Sequence, residues 1–432
     1  MESTKILSSR FGKIKPDSVE EYIAAGGYEG LKKAITMNPV DIIEEIKKAY
    51  LFGRGGAAYP TGIKWEQAYA IPLEKGLKYM VCNADEGEPG TFKDRHIMAE
   101  DPLELIEGMT IGAFIFGAKE GYIYCRGEYP AIQRTLRSAI ENAKKAGYLG
   151  VNILGTGLDF DITVVSGAGA YVCGENTALV ESIEGKTGRP RRKPPYIKNA
   201  GLNMKPTVLN NVETYACIPW IIKEGGEKFL SIGTEFSGGT KLMCLSGNVV
   251  NRGTYEVPFG TTLRELIYDI GGGIANGRKL KFVHLGGSSG SCFPESLLDT
   301  KICYNDLRKN GLSLGSGAVL VVDDSHCVVD YLKAVMEFFE EESCGKCTPC
   351  REGNQRMVEL LEKLTEGRGT SEDIQRLKRL AQTMRNTSFC GLGQSAPVPV
   401  TTLLKHFADE FEAHIEGNCP SGKCSMSGKG VK

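Results

Sequence analysis

Three cysteines at Cys-x-x-Cys-x-x-Cys spacing, Cys344, Cys347 and Cys350, are followed much later in the chain by a single Cys390 in Ser388-Phe-Cys-Gly-Leu-Gly393. A triplet plus a remote singleton can supply the four thiolates of an iron–sulfur cubane, a centre that holds and passes single electrons. The fold must therefore carry Cys390 back to the triplet. Structural zinc more often takes two Cys-x-x-Cys pairs, and it stands as the alternative ligand. A disulfide is disfavoured, because the segment before the triplet reads as a cytosolic helix and nothing upstream looks like a secretion signal.

The remaining composition narrows the class. Lys+Arg total 52 and Asp+Glu 53 in 432 residues, a formal net charge of -1, so no basic field argues for nucleic acid and no acidic tail is present. Met1-Glu-Ser-Thr-Lys5 lacks a signal pattern and no apolar run is long enough to cross a bilayer, so a soluble, cytoplasmic protein is expected. Of 14 cysteines, Cys82, Cys125, Cys173, Cys217, Cys244, Cys292, Cys303 and Cys327 lie singly among apolar neighbours and are expected to pack as small hydrophobes in a reducing compartment.

Periodicity divides the chain. Residues 1–48 read as short helices, with Val40, Ile43, Ile46 and Tyr50 on one stripe. Over 49–236, strand-like runs at 79–83, 121–125 and 160–165 alternate with helical stretches such as 131–146, the rhythm of a mainly parallel α/β sheet with covered faces. Runs at 240–247, 253–257, 280–285 and 318–322 around one helix at 262–270 make an α+β module over 237–325. Residues 326–416 turn helical, with helices expected at 330–342, 354–365 and 371–384, the last capped by Ser371 with Asp373, and a final helix over 400–416. Residues 417–432 form a cysteine-containing tail.

Several loops carry chemistry. Gly53-Arg-Gly-Gly-Ala-Ala-Tyr-Pro-Thr-Gly62 lets backbone N–H groups approach an anion, with Arg54 and Lys64 adding charge, although it matches neither the Rossmann nor the Walker pattern and an ordinary turn-rich loop stays open. Ser166-Gly-Ala-Gly-Ala-Tyr-Val-Cys-Gly-Glu-Asn-Thr177 follows a strand and opens a helix near Glu175, the parts of a nucleotide crevice at the carboxyl edge of a sheet. Between these two, Asp85, Glu86 and Glu88 are grouped after a strand in Asn83-Ala-Asp-Glu-Gly-Glu-Pro-Gly90. There they suit sugar hydroxyls or an amide, or form a solvated turn. Asn210, Asn211 and Thr214 offer neutral donors and acceptors to a ring or sugar, or simply start a helix.

Taken in order with Glu342-Ser-Cys-Gly-Lys-Cys-Thr-Pro-Cys-Arg-Glu-Gly353, these motifs closely resemble the flavin-bearing, 51 kDa-type NADH dehydrogenase subunit of respiratory complex I. They also resemble its relatives in soluble hydrogenases, formate dehydrogenases and electron-bifurcating complexes, over about residues 30–416. The resemblance implies a Rossmann-like FMN domain, a ubiquitin-like α+β domain and a helical bundle holding one [4Fe-4S] cluster on Cys344, Cys347, Cys350 and Cys390. It places FMN among Gly53, Arg54, Gly55, Lys64, Asn83, Asp85, Tyr171, Gly174, Glu175, Asn210, Asn211 and Thr214. NAD(P)(H) would lie over the flavin near Tyr59, Lys64, Gln67, Glu86, Glu88, Asn176, Lys193 and Tyr196. The implied reaction is hydride transfer between nicotinamide and flavin followed by one-electron steps, with no covalent nucleophile and with Glu86 and Glu88 as candidate support. The implied partners are a thioredoxin-like [2Fe-2S] subunit and a larger iron–sulfur subunit, in a soluble complex of which electron bifurcation is one version.

The chain departs from the family pattern in three places. Gly174-Glu-Asn176 stands where Gly-Glu-Glu is usual, and a neutral Asn176 relaxes repulsion of a 2′-phosphate; with Arg189, Arg191, Arg192 and Lys193 nearby, NADP(H) becomes a candidate, although NAD(H) is expected ahead of it. Tyr59 and Gln67 occupy positions where phenylalanine is common, and Gln67 stacks less well on a base. The tail resembles the linker that leads to further ferredoxin-like clusters in hydrogenase relatives, and those clusters are not expected here. His414, Cys419 and Cys424 in this region suit Zn²⁺ or a centre completed elsewhere, against the alternative of a disordered tail. The rival to an enzyme is a non-enzymatic nucleotide- or metal-binding scaffold, which would be colourless and hold zinc in place of iron.

Overall fold

A computed structural model describes residues 4–72 and 78–426; the expectations that touch residues 1–3 and 427–432 lie outside the described residues. Strands β1 (Tyr79–Ala84), β2 (Glu120–Cys125), β3 (Gly150–Ile153), β4 (Leu158–Ser166) and β5 (Thr207–Asn211) form one sheet in the order β3-β4-β2-β1-β5. All pairs are parallel except β3–β4. Alternation along these strands feeds two different cores. Met80, Cys82 and Ala84 of β1 face one core and Val81 the other; Val208 and Leu209 of β5 divide the same way.

The first core holds helices Pro102–Phe116, Pro130–Lys145 and Val212–Glu224. The second is shared with helix Asn176–Ile183 and with the C-terminal helices Val328–Glu341, Thr348–Thr365 and Ser371–Thr387. With both faces covered, the sheet meets ligand only at its ends, and in parallel sheets that means the carboxyl edge.

The second sheet orders β6 (Thr240–Gly247), β7 (Gly253–Pro258), β8 (Leu280–Leu285), β9 (Ser291–Phe293) and β10 (Ala318–Asp323) as β7-β6-β10-β8-β9. β6 and β10 run parallel and the other pairs antiparallel. The helix expected at 262–270 is a single wide turn, Glu265–Ile270, with π-type bonding. The N-terminal segment is tied to this sheet by a single carboxylate. Glu256 accepts from Ile6 N (2.8 Å), Leu7 N (2.9 Å), Ser8 N (2.7 Å) and Ser8 Oγ (2.6 Å), and from Thr240 Oγ1.

Some local expectations shift. In helix Pro39–Lys48 the buried stripe is Ile42, Ile43 and Ile46, continuing to Ala49, whereas Val40 and Tyr50 are exposed; Tyr50 sits beyond the helix end in left-handed backbone (φ 45°), which breaks the helical period. The cap of Ser371–Thr387 is Thr370, one residue earlier than expected, in a reciprocal box with Asp373. The helix expected over 400–416 is two, Val398–His406 and Ala408–Ile415, broken at Phe407. Phe407 packs edge-on against Phe282 of β8 at 5.7 Å, so the break lets one aromatic side chain reach the second sheet.

Replacing Glu256 by Ala strands several buried donors at once and is expected to cost about 3 kcal/mol in urea unfolding, with early proteolysis of the N-terminal segment; Glu256→Gln, which keeps an acceptor, should cost much less.

Candidate functional site

At the carboxyl edge of the first sheet lies a cleft of ≈ 350 Å³. Its walls come from all three parts of the fold. The first sheet supplies Gly55, Asn83, Asp85, Glu86, Glu88, Tyr171, Gly174, Glu175 and Asn211; the second module supplies Gly286, Ser289, Gly315 and Ser316; the helical region supplies Gly391, Leu392 and Ser395. Two glycines are required by close approach. A Cβ on Gly55 would stand 3.0 Å from Asn211 Cβ, and one on Gly287 (φ +84°) would overlap Glu88 at 2.2 Å.

Each acidic residue of the loop after β1 does something different. Asp85 Oδ2 is buried without a protein partner, and enclosure pushes the carboxyl up to about 7, Arg126 pulling the other way. Glu86 lines the cleft, but its carboxylate is taken up by accepting from Asp94 N (2.7 Å), Arg95 N (3.1 Å) and Tyr129 OH (3.3 Å), capping helix Lys93–Glu100. Burial, then the neighbouring Asp94 charge, raise Glu86 to about 7. Glu88 accepts from Tyr171 OH and from Ser289 N (3.0 Å) and Oγ (3.2 Å), which clamps it between the first sheet and the second module. Burial holds it above the usual carboxylate range, against those hydrogen bonds.

Glu175 caps helix Asn176–Ile183, accepting from Thr177 N (2.9 Å) and Ala178 N (3.0 Å), and pairs with Lys193 Nζ at 2.6 Å. Asn83 Nδ2 donates to Gly174 O at 2.9 Å, joining the two loops.

Other residues singled out by sequence stand outside the cleft wall. Gly53, Asn210 and Thr214 lie behind it, where Thr214 Oγ1 accepts from Arg54 N (2.9 Å), and the Arg54 guanidinium is buried over the Phe259 ring at 4.5 Å. Lys64 Nζ donates to Leu209 O. Tyr59, Gln67 and Lys198 are linked on the rim, Gln67 Nε2 to Tyr59 OH at 3.1 Å and Lys198 Nζ to Gln67 Oε1 at 2.8 Å, with Tyr196 exposed. Sequence reasoning missed Lys93, Asp94, Ser289, Gly315, Ser316 and Ser395 as wall residues. The Gly-Gly-Ser-Ser-Gly-Ser run at 286–291 is the sequence feature that marks this part of the wall.

Cys344, Cys347, Cys350 and Cys390 surround a second, smaller cavity. Donors face the sulfurs: Phe389 N toward Cys347 Sγ and Asn354 Nδ2 toward Cys350 Sγ, each at 3.5 Å. Val172 and Leu392 border both cavities, so one layer of side chain separates them.

A third constellation corrects the sequence reading. Cys327, expected to be a packing cysteine, is buried, but its sulfur joins His414, Cys419 and Cys424, and the four ligand atoms lie within 4.8 Å of one another. Cys327 Sγ is 3.2 Å from His414 Nε2 and 3.5 Å from Cys424 Sγ. His414 Nδ1 donates to Glu410 O at 2.6 Å, leaving Nε2 free to ligate. The tail is thus packed onto the helices through Met426. Its turn favours thiolate: burial raises Cys419, but the Ser421 hydroxyl and the backbone N–H groups of Cys424 and Lys423 outweigh it and bring the thiol to about 6.

The family model of the Nuo51 FMN-binding domain matches residues 46–220, that of the SLBB domain residues 242–292, and that of the NADH-ubiquinone oxidoreductase-F iron-sulfur binding region residues 330–414. The chain is 46% identical over 422 residues to the NADP-reducing hydrogenase subunit HndC of Solidesulfovibrio fructosivorans, covering 98% of this chain and 86% of that one. It is 48% identical over 402 residues to a subunit of the NADH-quinone oxidoreductase of Rhizobium meliloti (strain 1021), covering 92% and 95%. A crystal structure of the NAD+-reducing [NiFe]-hydrogenase in the H2-reduced state superposes with a TM-score of 0.82 at 35% identity, covering 95% of this chain and 67% of that chain. The chain belongs to the family of flavin-bearing NADH dehydrogenase subunits of complex I and its hydrogenase relatives. It is accordingly a flavoprotein and iron–sulfur dehydrogenase subunit, and no helix among the described residues is long and apolar enough to cross a membrane.

Because the folded Asp85 carboxyl titrates near 7 and the unfolded one near the ordinary ~4, its contribution to stability is complete below pH ~4 and is lost as pH rises through ~7. In flavin-free protein, Asp85→Asn is expected to be more stable than the parent at pH 8 by up to about 4 kcal/mol, with the gap closing toward pH 5. Urea midpoints across this range would check it.

Proposed function

We propose that this chain is the electron-entry subunit of a multisubunit oxidoreductase, exchanging electron pairs with NAD(P)H in the cleft and single electrons with partner subunits through the Cys344, Cys347, Cys350 and Cys390 centre. The shared wall of Val172 and Leu392 carries the reading, since a ring seated in the cleft is one side-chain layer from the four thiols. FMN, when bound, supplies the conversion between a hydride's two electrons and single-electron transfer.

The chain's own residues hold and orient. Gly55 would meet the phosphate end, with Gly53, Arg54 and Lys64 supporting that loop from behind the wall. Asn83 and Asp85 would take the ribityl hydroxyls, for which the unpartnered Asp85 Oδ2 is the support. Tyr171, Gly174, Glu175 and Asn211 would frame the ring, backed by Asn210 and Thr214. Glu88, aligned by Tyr171 and Ser289, would accept from the nicotinamide carboxamide, while Tyr59, Gln67, Asn176, Lys193 and Tyr196 would line the nucleoside end. Glu86, spent on its helix cap, supports this wall.

Three ion pairs favour NAD(H) over NADP(H). Lys193 is held by Glu175, and Arg191 by Glu181 and Glu184, so of the basic run at 189–193 only the exposed Arg189 and Arg192 stand outside these pairs to meet a 2′-phosphate. The similarity to both a hydrogenase subunit and quinone-oxidoreductase subunits supports a multisubunit host, which we read as a soluble one with a thioredoxin-like [2Fe-2S] subunit and a larger iron–sulfur subunit. For the Cys327, His414, Cys419 and Cys424 set we read structural Zn²⁺: tetrahedral Zn–S bonds of about 2.3 Å put sulfurs about 3.8 Å apart, compatible with the clustering within 4.8 Å.

A visible spectrum before and after NADH or NADPH tests the main reading. The protein is expected to be yellow-brown, and NADH should bleach the flavin band faster than NADPH. Asn176→Glu should lower the NADPH-to-NADH efficiency ratio by on the order of tenfold; an unchanged ratio would remove the role given to Asn176, and a colourless protein the whole reading. Elemental analysis should find one zinc per chain that Cys327→Ser loses while flavin and iron remain; loss of iron instead would reassign the site.

A further inference from the structure

Behind the cleft, five charged side chains are buried together. Lys93 and Lys241 are fully buried, as are the Arg54 guanidinium and the Glu213 carboxylate, and Asp94 is nearly so. Glu213 Oε2 accepts from Lys241 Nζ (2.7 Å) and is ion-paired with Lys93 Nζ at 3.0 Å, and Glu213 Oε1 accepts from Leu242 N (3.1 Å). Lys93 Nζ also donates to Asp94 Oδ1 (2.6 Å) and Asn211 Oδ1 (3.1 Å), while Asn211 Nδ2 donates to Asp94 Oδ2 at 2.7 Å. Asn211 therefore has its carboxamide fixed at both ends. Lys93, Asp94 and Asn211 line the cleft, whereas Glu213 and Lys241 do not.

Lys241 comes from β6 of the second sheet and Glu213 from the first turn of helix Val212–Glu224, which Asn211 caps. A docking contact between two modules does not require this: apolar residues of the same volume dock as well or better, because desolvating ions costs several kcal/mol each. What ions do that apolar residues cannot is project a field into a low-dielectric site.

We propose that the Glu213–Lys241 pair, acting through Lys93 and Asn211, sets the charge beneath the cleft and thereby the reduction potential of the flavin bound there, so that the second module tunes a cofactor that Lys241 does not touch. The inference rests on the flavin occupying the cleft, as read above. Lys241, Glu213 and Lys93 are positioning residues for that cofactor. Reduced flavin carries more negative charge than oxidised flavin, so the sign of each change is fixed. Lys241→Met leaves Glu213 less compensated and disfavours the reduced form; Glu213→Gln, isosteric and still an acceptor, favours it.

The test is a redox titration of the purified flavin-loaded protein, with flavin dissociation constants measured alongside, for Lys241→Met, Glu213→Gln, the double variant, and Val283→Ala, a core truncation of the same module remote from the cluster. Lys241→Met should move the two-electron midpoint negative and Glu213→Gln positive, the double variant should lie between them, and Val283→Ala should leave it in place. A tenfold change in the ratio of the oxidised and reduced affinities corresponds to about 30 mV. Midpoints that move the same way in both single variants, or in neither while flavin stays bound, overturn the proposal and leave the cleft reading intact. A parent protein that binds no flavin overturns both. If Lys241→Met does not fold, the isosteric Glu213→Gln alone decides by the sign of its shift.

Discussion

A parallel sheet packed on both faces has one place left for polar chemistry, the edge where its strands end, and the arrangement of this protein follows from that constraint. The alternation of β1 and β5 sends Met80, Cys82 and Val208 into one core and Val81 and Leu209 into the other. Along β1 and β5 neither face presents a functional group to solvent. Asn83, Asp85 and Asn211 are therefore delivered just past the strand ends, where the backbone turns and the next helix begins.

The second core makes the site more than a nucleotide crevice. Because the helices that flank Cys344 and Cys347 and carry Cys350 pack on the same sheet face as Val81 and Leu209, the four-thiol cavity sits against the cleft and shares Val172 and Leu392 with it. Electron transfer between two centres needs short separation and a dry partition, and close packing of aliphatic side chains supplies both. The second module closes the remaining side: Ser289 clamps Glu88, and Lys241 reaches Glu213 under the floor. Here burial pushes Lys241 down to about 8 against the pull of Glu213, while Lys241, Lys93 and Arg54 overcome burial to hold Glu213 at about 2. The pair is ionised on both sides, as a source of fixed field must be.

How much of this was legible in the sequence differs by kind of contact. Strand runs at 79–83 and 280–285 and the helix at 131–146 lie within or beside observed elements, because hydrophobic period is a local property. The Thr370 cap and the break at Phe407 were misjudged by a residue or a turn, since each depends on one side chain finding a partner: Asp373 for the first, Phe282 for the second. Cys327 was the most consequential misreading. Nothing local distinguishes it from Cys292 or Cys303, and its role depends on a tail that begins almost ninety residues later. Lys93 and Asp94 were passed over for the same reason, their partners Glu213 and Asn211 lying on a different strand and helix.

Sequence alone determined the chemistry carried by short spacings: three thiols that must converge, a carboxylate run placed at a strand end, and glycine turns without Cβ atoms where backbone meets ligand. Those are properties of a few adjacent residues and survive any arrangement of the rest. Tertiary structure decided which thiol completes the Cys327 and His414 set, which of the three loop carboxylates keeps an unpartnered oxygen at the cleft and which caps a helix, and how two lysines and a glutamate from separate modules come to share one buried site. Such choices depend on distances across the core, which hydrophobic burial fixes only when all layers have packed.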